Sequence, residues 1–550
     1  MRRIGLLGMW AVCGSLAAQH LDTRLPDWAD MAWSRVPVVQ AAPFDPNIAA
    51  VDDAEREARG QLRLYGRFVE VGAGPASHGR WTIRPNGDRV WQLRVRSTGA
   101  IATELFLSDV VLPPGAAVVV LDAEHRTWRG PFTADDVLKD GTLCPAILPG
   151  ESCGIAYFEP AAVRGQGGFT IAKLAHAYRD VTVRSGTCQV DVACSEGNGW
   201  ETVRDAVVRV RVVQPSGTGR CTGTLMNNTA QDCRPYVLTA MHCGRGSTEE
   251  MFHQYQFFFN HQRPSCGMGD GNLDQVMTGC VKRAGSNDLD VNGIAQGSDF
   301  MLLELDQPIP AAFNAYFAGW DATNTVVSAG CCIHHPDGDV KKISTFNTQI
   351  FSTSWGTTLL NTHWRVVWAD TPNGHGVTEP GSSGAPLLNT SRRVIGTLTG
   401  GASCCTLNGC GTNTAPHLPD FFGKMSTHWT GNLTPTTEKL KEWLAPGSSA
   451  LVLDGSYDPC NAIGIAEVAV VQAQVFPDPA SGPLTVRAPQ GRRMDRLMVL
   501  DLTGRIVHET ALPLVGQVHL DASEWSAGLY VLVVWSEGRP WPGTRFTVVR

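Results

Sequence analysis

A mainly β protein built from several modules is what the sequence predicts, on three observations. Short runs of alternating apolar and polar residues recur, among them LRLYGRFVEV at 62–71, RVWQLRVRS at 89–97 and AAVVVLD at 116–122. A period of two is the mark of half-buried strands. Glycine (58) and proline (33) are plentiful while charged residues make up only 18%, a composition suited to strands joined by many turns. Finally, 550 residues exceed what one hydrophobic core can serve, so two to four domains are expected.

Taken in order, residues 1–18 read as a signal peptide: Arg2 and Arg3, then an apolar stretch from Ile4 to Ala18 that ends in small residues. Residues 19–60 are polar and mixed and read as a loosely ordered lead-in. From 61 to about 178 alternation dominates, with Pro113, Pro114 and Gly115 forming a turn between two strands, so a β domain is expected. Two roles stay open for it. It is a binding module kept in the mature protein, or a propeptide spanning 19–184 that assists folding and is removed; its place behind the signal favours the propeptide. A central region, 185–445, has many short strands. A linker, 446–468, leads to a small β module at 469–550 whose strands fall in VFPDPASGPLTV, LMVLDLTGRIV, LDASEWSAGLYVLVV and RFTVV.

The net charge of −7 gives no basis for nucleic-acid or membrane-surface binding. Beyond the signal no stretch is long and apolar enough to span a bilayer. Of sixteen cysteines, Cys13 lies in the signal, Cys144 and Cys153 precede the central region, twelve fall between Cys188 and Cys410, and Cys460 follows. An even, dense set in one region reads as disulfides formed outside the cytoplasm. Zinc at Cys331–Cys332 or Cys404–Cys405 is the competing reading, and adjacent cysteines are poor chelators. No metal and no cofactor is expected.

The chemistry concentrates at GVTEPGSSGAP, residues 376–386. Ser383 sits on a glycine-rich turn where the amides of Gly381 and Ser383 can converge on one oxyanion. Alone, such a turn is common in secreted β proteins. Two upstream stretches change its meaning. YVLTAMHCG (236–244) delivers His242 at the end of an apolar strand, and SDFMLLEL (298–305) places Asp299 before another. A lone histidine or a capping aspartate would be structural, but His, Asp and Ser in this order form the set needed for base-assisted nucleophilic attack.

With CTGTLMNNTA (221–230), FAGWD (317–321) and IHHPDGD (333–339), these stretches resemble the signatures of the bacterial lysyl endopeptidases, a group of trypsin-fold serine endopeptidases. The resemblance covers about 185–446. It implies two six-stranded antiparallel barrels with the site between them, and a C-terminal helix at 437–444. It further implies that His242 is general base, Asp299 its orienting carboxylate, Ser383 the nucleophile, and Gly381 and Ser383 the oxyanion hole. Disulfides Cys188–Cys405, Cys194–Cys266 and Cys221–Cys243 are implied, with the other six cysteines of the region open. Asp420, in PDFFGKM, matches the carboxylate that receives a lysine side chain. Thr378, Glu379, Gly400, Gly401 and Trp355 match other substrate-binding positions. The histidine that stacks on the tryptophan in the family is Thr399 here, so that stack is expected to be missing. Ser382 stands where digestive trypsin-like enzymes carry an aspartate that binds a new N-terminus, so activation is expected to uncover a preformed cleft instead.

Residues 469–550 resemble the type IX secretion system C-terminal sorting domain, through Pro-Asp-Pro at the start, Leu-Thr-Gly-Arg and Ala-Gly-Leu-Tyr. The whole reads as a secreted, monomeric serine endopeptidase that cuts peptide substrates after basic residues, starts near Ser185 when mature, and is passed outward by the outer-membrane secretion machinery. The rival reading is a catalytically inactive relative serving as a cell-surface binding protein.

Overall fold

The computed structural model describes residues 25–550, except 31, 59–60, 180–184, 287–296, 356–359, 408–412, 432–434, 462–472, 489–492, 537–538 and 541–542. The signal segment 1–18 lies outside the described residues. The chain divides into two units, Met1–Cys460 and Asn461–Arg550.

The N-terminal part of the first unit is a two-layer β sandwich. Its strands are β1 (Leu64–Ala73), β2 (Arg89–Arg96), β3 (Ala102–Val111), β4 (Ala117–Asp122), β5 (Ser152–Glu159) and β6 (Gly168–Ala177). β6 lies between β1 and β3 in one sheet, and β5 between β2 and β4 in the other. Alternate side chains from both, such as Trp91, Val118 and Tyr157 facing Leu105, Ile171 and Leu174, fill the space between them. The segment read as a loose lead-in contains a helix, α1 (Pro46–Ala58). Asp45 explains its start: its Oδ1 accepts Asn47 N at 2.8 Å and Ile48 N at 3.3 Å, with proline in the first turn.

Two barrels follow. The first uses β7 (Val207–Gln214), β8 (Gly217–Met226), β9 (Tyr236–Thr239), β10 (Gln256–Phe258), β11 (Val276–Thr278), β12 (Cys280–Gly285) and β13 (Met301–Leu305). Neighbours run β11–β10–β7–β8–β9–β13–β12. β11 and β12 are one passage of chain interrupted at Gly279, whose φ of 93° needs glycine, so the sheet closes on itself. The second barrel uses β14 (Trp320–Asp321), β15 (Gly330–His334), β16 (Lys342–Phe346), β17 (His363–Val366), β18 (Pro386–Asn389), β19 (Val394–Gly401) and β20 (Asp420–Lys424). Its order is β16–β15–β18–β19–β20–β17, and Ala369 N to Thr345 O at 2.8 Å links the last strand back to the first.

The sandwich is joined to the first barrel by its own backbone. β1 pairs antiparallel with β8 in the register Gly217↔Arg67, Thr218↔Gly66 and Gly219↔Leu64. A Cβ on Gly217 would stand 2.0 Å from Gly66 O, so the approach needs glycine there. Leu62, Leu64, Phe106 and Cys144 then share one core with Val210, Val212 and Cys221.

Three expectations are corrected. The C-terminal helix is only one turn, α2 (Lys441–Leu444), after a 3-10 turn at Thr436–Glu438; Leu440 and Leu444 are its buried anchors. The first part of the segment read as a linker is built into the barrels: β21 (Val452–Leu453) pairs with β14, Ser456 bridges to Phe317, and Cys460 bonds Cys233. The cysteines are not all paired. Cys188–Cys405, Cys194–Cys266, Cys221–Cys243 and Cys233–Cys460 are disulfides, and Cys404 is bonded as well. Cys280, Cys331 and Cys332 are buried thiols. Cys331 and Cys332 are consecutive on β15 and face different cores, because side chains alternate across a strand, so they form neither a bridge nor a chelate.

The second unit is a sandwich of a three-stranded and a five-stranded sheet around Leu484, Val486, Leu497, Val499, Leu532 and Phe546. No helix among the described residues is long and apolar enough to cross a membrane.

The placement of 446–460 is testable. A chain ending after Asn461 is expected to unfold like the full first unit. One ending after Ala445 loses β21 and the Cys233–Cys460 bond and should be less stable by at least about 2–4 kcal/mol, measured by denaturant unfolding without reductant.

Candidate active site

β9 lies between β8 and β13 and runs out through Ala240 into a helical turn, Met241–Gly244, pinned to β8 by Cys221–Cys243. The pairing Thr239↔Met301 sets Asp299 opposite this turn. Asp299 O accepts Met241 N at 3.2 Å, Oδ1 accepts His242 N at 2.9 Å and Oδ2 lies 2.7 Å from His242 Nδ1. Asp299 is 2% exposed with φ of 56°, a left-handed backbone that aspartate tolerates better than most residues. Burial pushes its carboxyl up, but the charge and hydrogen bonds of His242, with Arg245, outweigh that and hold it below the ordinary carboxylate value. An ionised carboxylate only accepts, so Nδ1 carries the proton and Nε2 is left with its lone pair outward.

Sequence reading missed the residues behind Asp299. His428 Nδ1 lies 2.7 Å from Ser298 Oγ and its Nε2 3.0 Å from Thr397 Oγ1. His363 Nε2 lies 3.0 Å from Thr399 Oγ1. Burial pushes His428 down to about 3 and His363 to about 4, so both act as neutral hydrogen-bonding groups. Only the serine before Asp299 hinted at them.

Ser383 rides on the turn 379–385. Ser382 N donates to Glu379 O at 2.9 Å, Ala385 N to Ser382 O at 2.9 Å, and Gly381 and Gly384 have φ of 94° and 82°. Ser382 is fully buried, with its Oγ 2.7 Å from His334 Nδ1 and accepting Glu379 N at 3.2 Å. The turn's carbonyls are held from the first barrel: Thr222 N donates to Ser383 O at 2.8 Å, and Thr222 Oγ1 to Gly381 O at 2.9 Å. A Cβ on Gly384 would stand 2.2 Å from Thr239 Oγ1 and 2.6 Å from Ala240 N. The turn is thus pressed against the strand end that leads into His242. With its carbonyls turned inward, neither the Gly381 nor the Ser383 amide donates to a protein acceptor among the described residues.

Asp420 is fully buried on β20. Its Oδ2 accepts Trp368 Nε1 at 2.6 Å, Thr378 Oγ1 at 2.8 Å and Ser403 Oγ at 2.5 Å, and Oδ1 accepts Ser403 N at 3.1 Å. Among the described residues no cation lies within ion-pair distance of it. Burial raises its pKa despite the bonds from Ser403, Trp368 and Thr378. A Cβ on Gly401 would stand 1.9 Å from Asp420 Oδ1, so that glycine keeps the carboxylate's flank open. Gly400 faces the Trp355 ring, 3.5 Å from where its Cβ would be, and Trp355 lies 5.3 Å from Phe421 and 6.4 Å from His363 between ring centroids. Thr378, Gly401 and Asp420 come together, joined by Trp368 and Ser403, which sequence reading missed. Glu379 does not join them. Its carboxylate turns away from the pocket, and Oε2 accepts Gly186 N at 3.1 Å.

The one cluster with metal-ligand chemistry among the described residues, Cys233, Asp458 and Cys460, has its two sulfurs in a disulfide and so offers no thiolates.

The family model for the lysyl endopeptidase C-terminal domain matches residues 182–423, and that for a secretion system C-terminal sorting domain matches 474–541. A lysyl endopeptidase of Pseudomonas aeruginosa is 34% identical over 358 residues, covering 59% of this chain and 71% of that protein. Among solved structures, the protease Anisep of Arthrobacter nicotinovorans has a TM-score of 0.27 at 11% identity, covering 41% of this chain and 91% of its own. An inactivated protease paralogue of the scabies mite has a TM-score of 0.29 at 14% identity, covering 41% and 92%. The sorting domain indicates export across the outer membrane, giving a secreted or cell-surface protein. The chain belongs to the lysyl endopeptidase family of serine endopeptidases.

Proposed function

We propose that His242, Asp299 and Ser383 form the catalytic triad of an endopeptidase that cuts after basic residues, lysine before arginine. The observation that carries the triad is the pair of hydrogen bonds from His242, backbone and ring, to the two oxygens of one buried carboxylate, beside a turn whose serine carbonyl is fixed by the same barrel. Ser383 attacks the peptide carbonyl while His242 Nε2 takes its proton, and the imidazolium is stabilised by Asp299. Gly381 N and Ser383 N receive the oxyanion. The amine leaves with the proton from His242, and water repeats the sequence on the acyl-enzyme. Asp420 supports the basic preference, since a buried carboxylate without a cation is relieved by a lysine ammonium entering the pocket. Residues 19–184 act as a removable propeptide, with the mature enzyme beginning at Ser185 and 469–550 serving as the sorting domain.

Ser383→Ala is expected to abolish turnover with folding intact, leaving a residual rate of about 10³–10⁴ over water. Labelling with a fluorophosphonate should be lost with it. An enzyme that keeps wild-type turnover as Ser383→Ala has another nucleophile, and a wild-type protein that neither labels nor cleaves is the inactive binding protein.

Asp420→Asn should lower kcat/KM for lysine substrates by about a few hundred-fold or more, because one partner of a buried ion pair is worth ~3–5 kcal/mol. Glu379→Gln should keep the ratio of lysine cleavage to labelling by a small uncharged probe. That same ratio should fall on acidification at a pH above the ordinary carboxylate range, since Asp420 has a raised pKa and loses its charge early as pH falls. A ratio that stays flat both in Asp420→Asn and on acidification excludes Asp420 as the specificity carboxylate.

A further inference from the structure

Ser185, read as the first residue of the mature enzyme, is only 8% exposed. Its backbone nitrogen lies 3.0 Å and its Oγ 2.8 Å from Oδ2 of Asp339. A Cβ on Gly186 would stand 2.4 Å from Cys405 Sγ and 2.5 Å from Glu379 Oε1, so a glycine lets the chain run this deep. Cys188–Cys405 then staples it. The segment that receives it is bonded to the Ser383 turn: Asp337 N donates to Pro380 O at 2.5 Å, and a Cβ on Gly381 would stand 2.9 Å from His335 O and 3.0 Å from Gly338 N.

The charges around this point are unevenly matched. Lys342 Nζ lies 3.3 Å from Asp339 Oδ2 but is shared with Asp191, which also meets Arg263. Arg209 acts on Asp339 from β7, and His335 and His261 adjoin it, both held neutral by burial. Glu379 has no cation within ion-pair distance among the described residues, and Asp337 and Asp339 are like charges beside it. Among the described residues, the N-terminal domain contributes Arg63, which acts on Asp337 alongside Arg220 of β8. Removing that domain takes the Arg63 charge away.

We propose that Asp339 is a positioning residue: once the bond between Arg184 and Ser185 is hydrolysed, the Ser185 nitrogen becomes an ammonium paired with the carboxylate it already faces. That pair, with Glu379 on the next amide, holds the Ser383 turn in the form that presents its two amides. Water adds across the peptide bond, leaving a carboxylate on Arg184 and an amine on Ser185 that takes up a proton at neutral pH. No group has to travel. A hydrogen bond in which only the acceptor is charged becomes an ion pair in which both partners are. Ser382, next to the nucleophile, has no charge with which to do this. The cleft, already shaped in the unprocessed chain, is held more firmly once the ion pair forms. The inference rests on the protease reading and on Ser185 as the mature start.

The test uses processed enzyme whose N-terminus has been sequenced. Below the pKa of the amine the pair is intact, and above it the pair is lost. kcat should therefore fall at alkaline pH, with a midpoint above the ordinary α-amine value of about 8. Asp339→Asn should lower kcat by about 10- to 100-fold with little change in KM and shift that limb to lower pH; Asp339→Glu should recover part of both. A glycine inserted before Ser185 displaces the amine while leaving Asp339 and Lys342 in place, so it separates the pair from any folding defect and from lysine titration. It should give the same loss, and the combined variant should be no worse than either alone. Wild-type kcat in the insertion variant, or an alkaline limb unmoved by Asp339→Asn, overturns the role of Asp339 while fluorophosphonate labelling of Ser383 keeps the protease reading. A mature N-terminus elsewhere, or wild type that does not label, overturns the underlying reading and this one with it.

Discussion

The site depends on Thr222. This fully buried residue of β8 donates its amide to Ser383 O and its hydroxyl to Gly381 O, accepts His335 N on that hydroxyl at 3.1 Å, and accepts Thr239 Oγ1 on its carbonyl at 2.8 Å. Four segments from two barrels meet at this one residue, through its side chain and the two peptide groups that flank it. Each of these groups is far from water, so losing a partner would leave a desolvated polar atom at a cost of about 1–3 kcal/mol. The neighbouring Cys221–Cys243 bridge makes the same strand the covalent support of the His242 turn. These bonds, with the core the two barrels share, hold the histidine of one and the serine of the other in register.

The other end of that strand carries the N-terminal domain. Pairing with β1 continues the barrel sheet outward, and apolar side chains on both sides give the contact its strength. It also buries Arg209 and Arg211, whose Nε and whose Nη1 and Nη2, respectively, have no hydrogen-bond partner; Arg211 instead lies over Phe106 at 5.4 Å. The carboxylate at hand, Glu104, accepts Tyr65 Oη at 2.6 Å. Desolvated guanidinium groups subtract from what the apolar surface contributes. Parting these two surfaces would return that charge to water.

Much of this was legible in the residues. Alternation marked the sandwich strands, the resemblance implied the barrels, and glycine spacing marked the turn at Ser383, because a positive φ at Gly381 and Gly384 restricts the residue type. Asp420 and Thr378 were singled out only by the family resemblance, and the structure brings the two together. What escaped notice was long-range. The histidines behind Asp299, His363 and His428, come from strands and turns more than sixty residues downstream and carry no local signature. Glu379 is one residue from Thr378 yet faces the opposite way, since neighbours on an extended chain point apart. α1 escaped because its polar composition outweighed a readable start at Asp45 and Pro46. The thiols of Cys331 and Cys332 escaped because an even cysteine count constrains the number of pairs and says nothing of which strands face each other.

The bond between Cys233 and Cys460 has a consequence for how the molecule comes apart. Residues 446–460 are returned to the first barrel by a covalent link, so severing the backbone anywhere within them changes the connectivity of the chain without releasing anything. In an oxidising medium both pieces stay attached, and the cut is invisible until reductant is added. Only beyond Cys460 does one broken peptide bond set the C-terminal unit free, so the disulfide fixes the point from which the address can be detached from the enzyme it delivers.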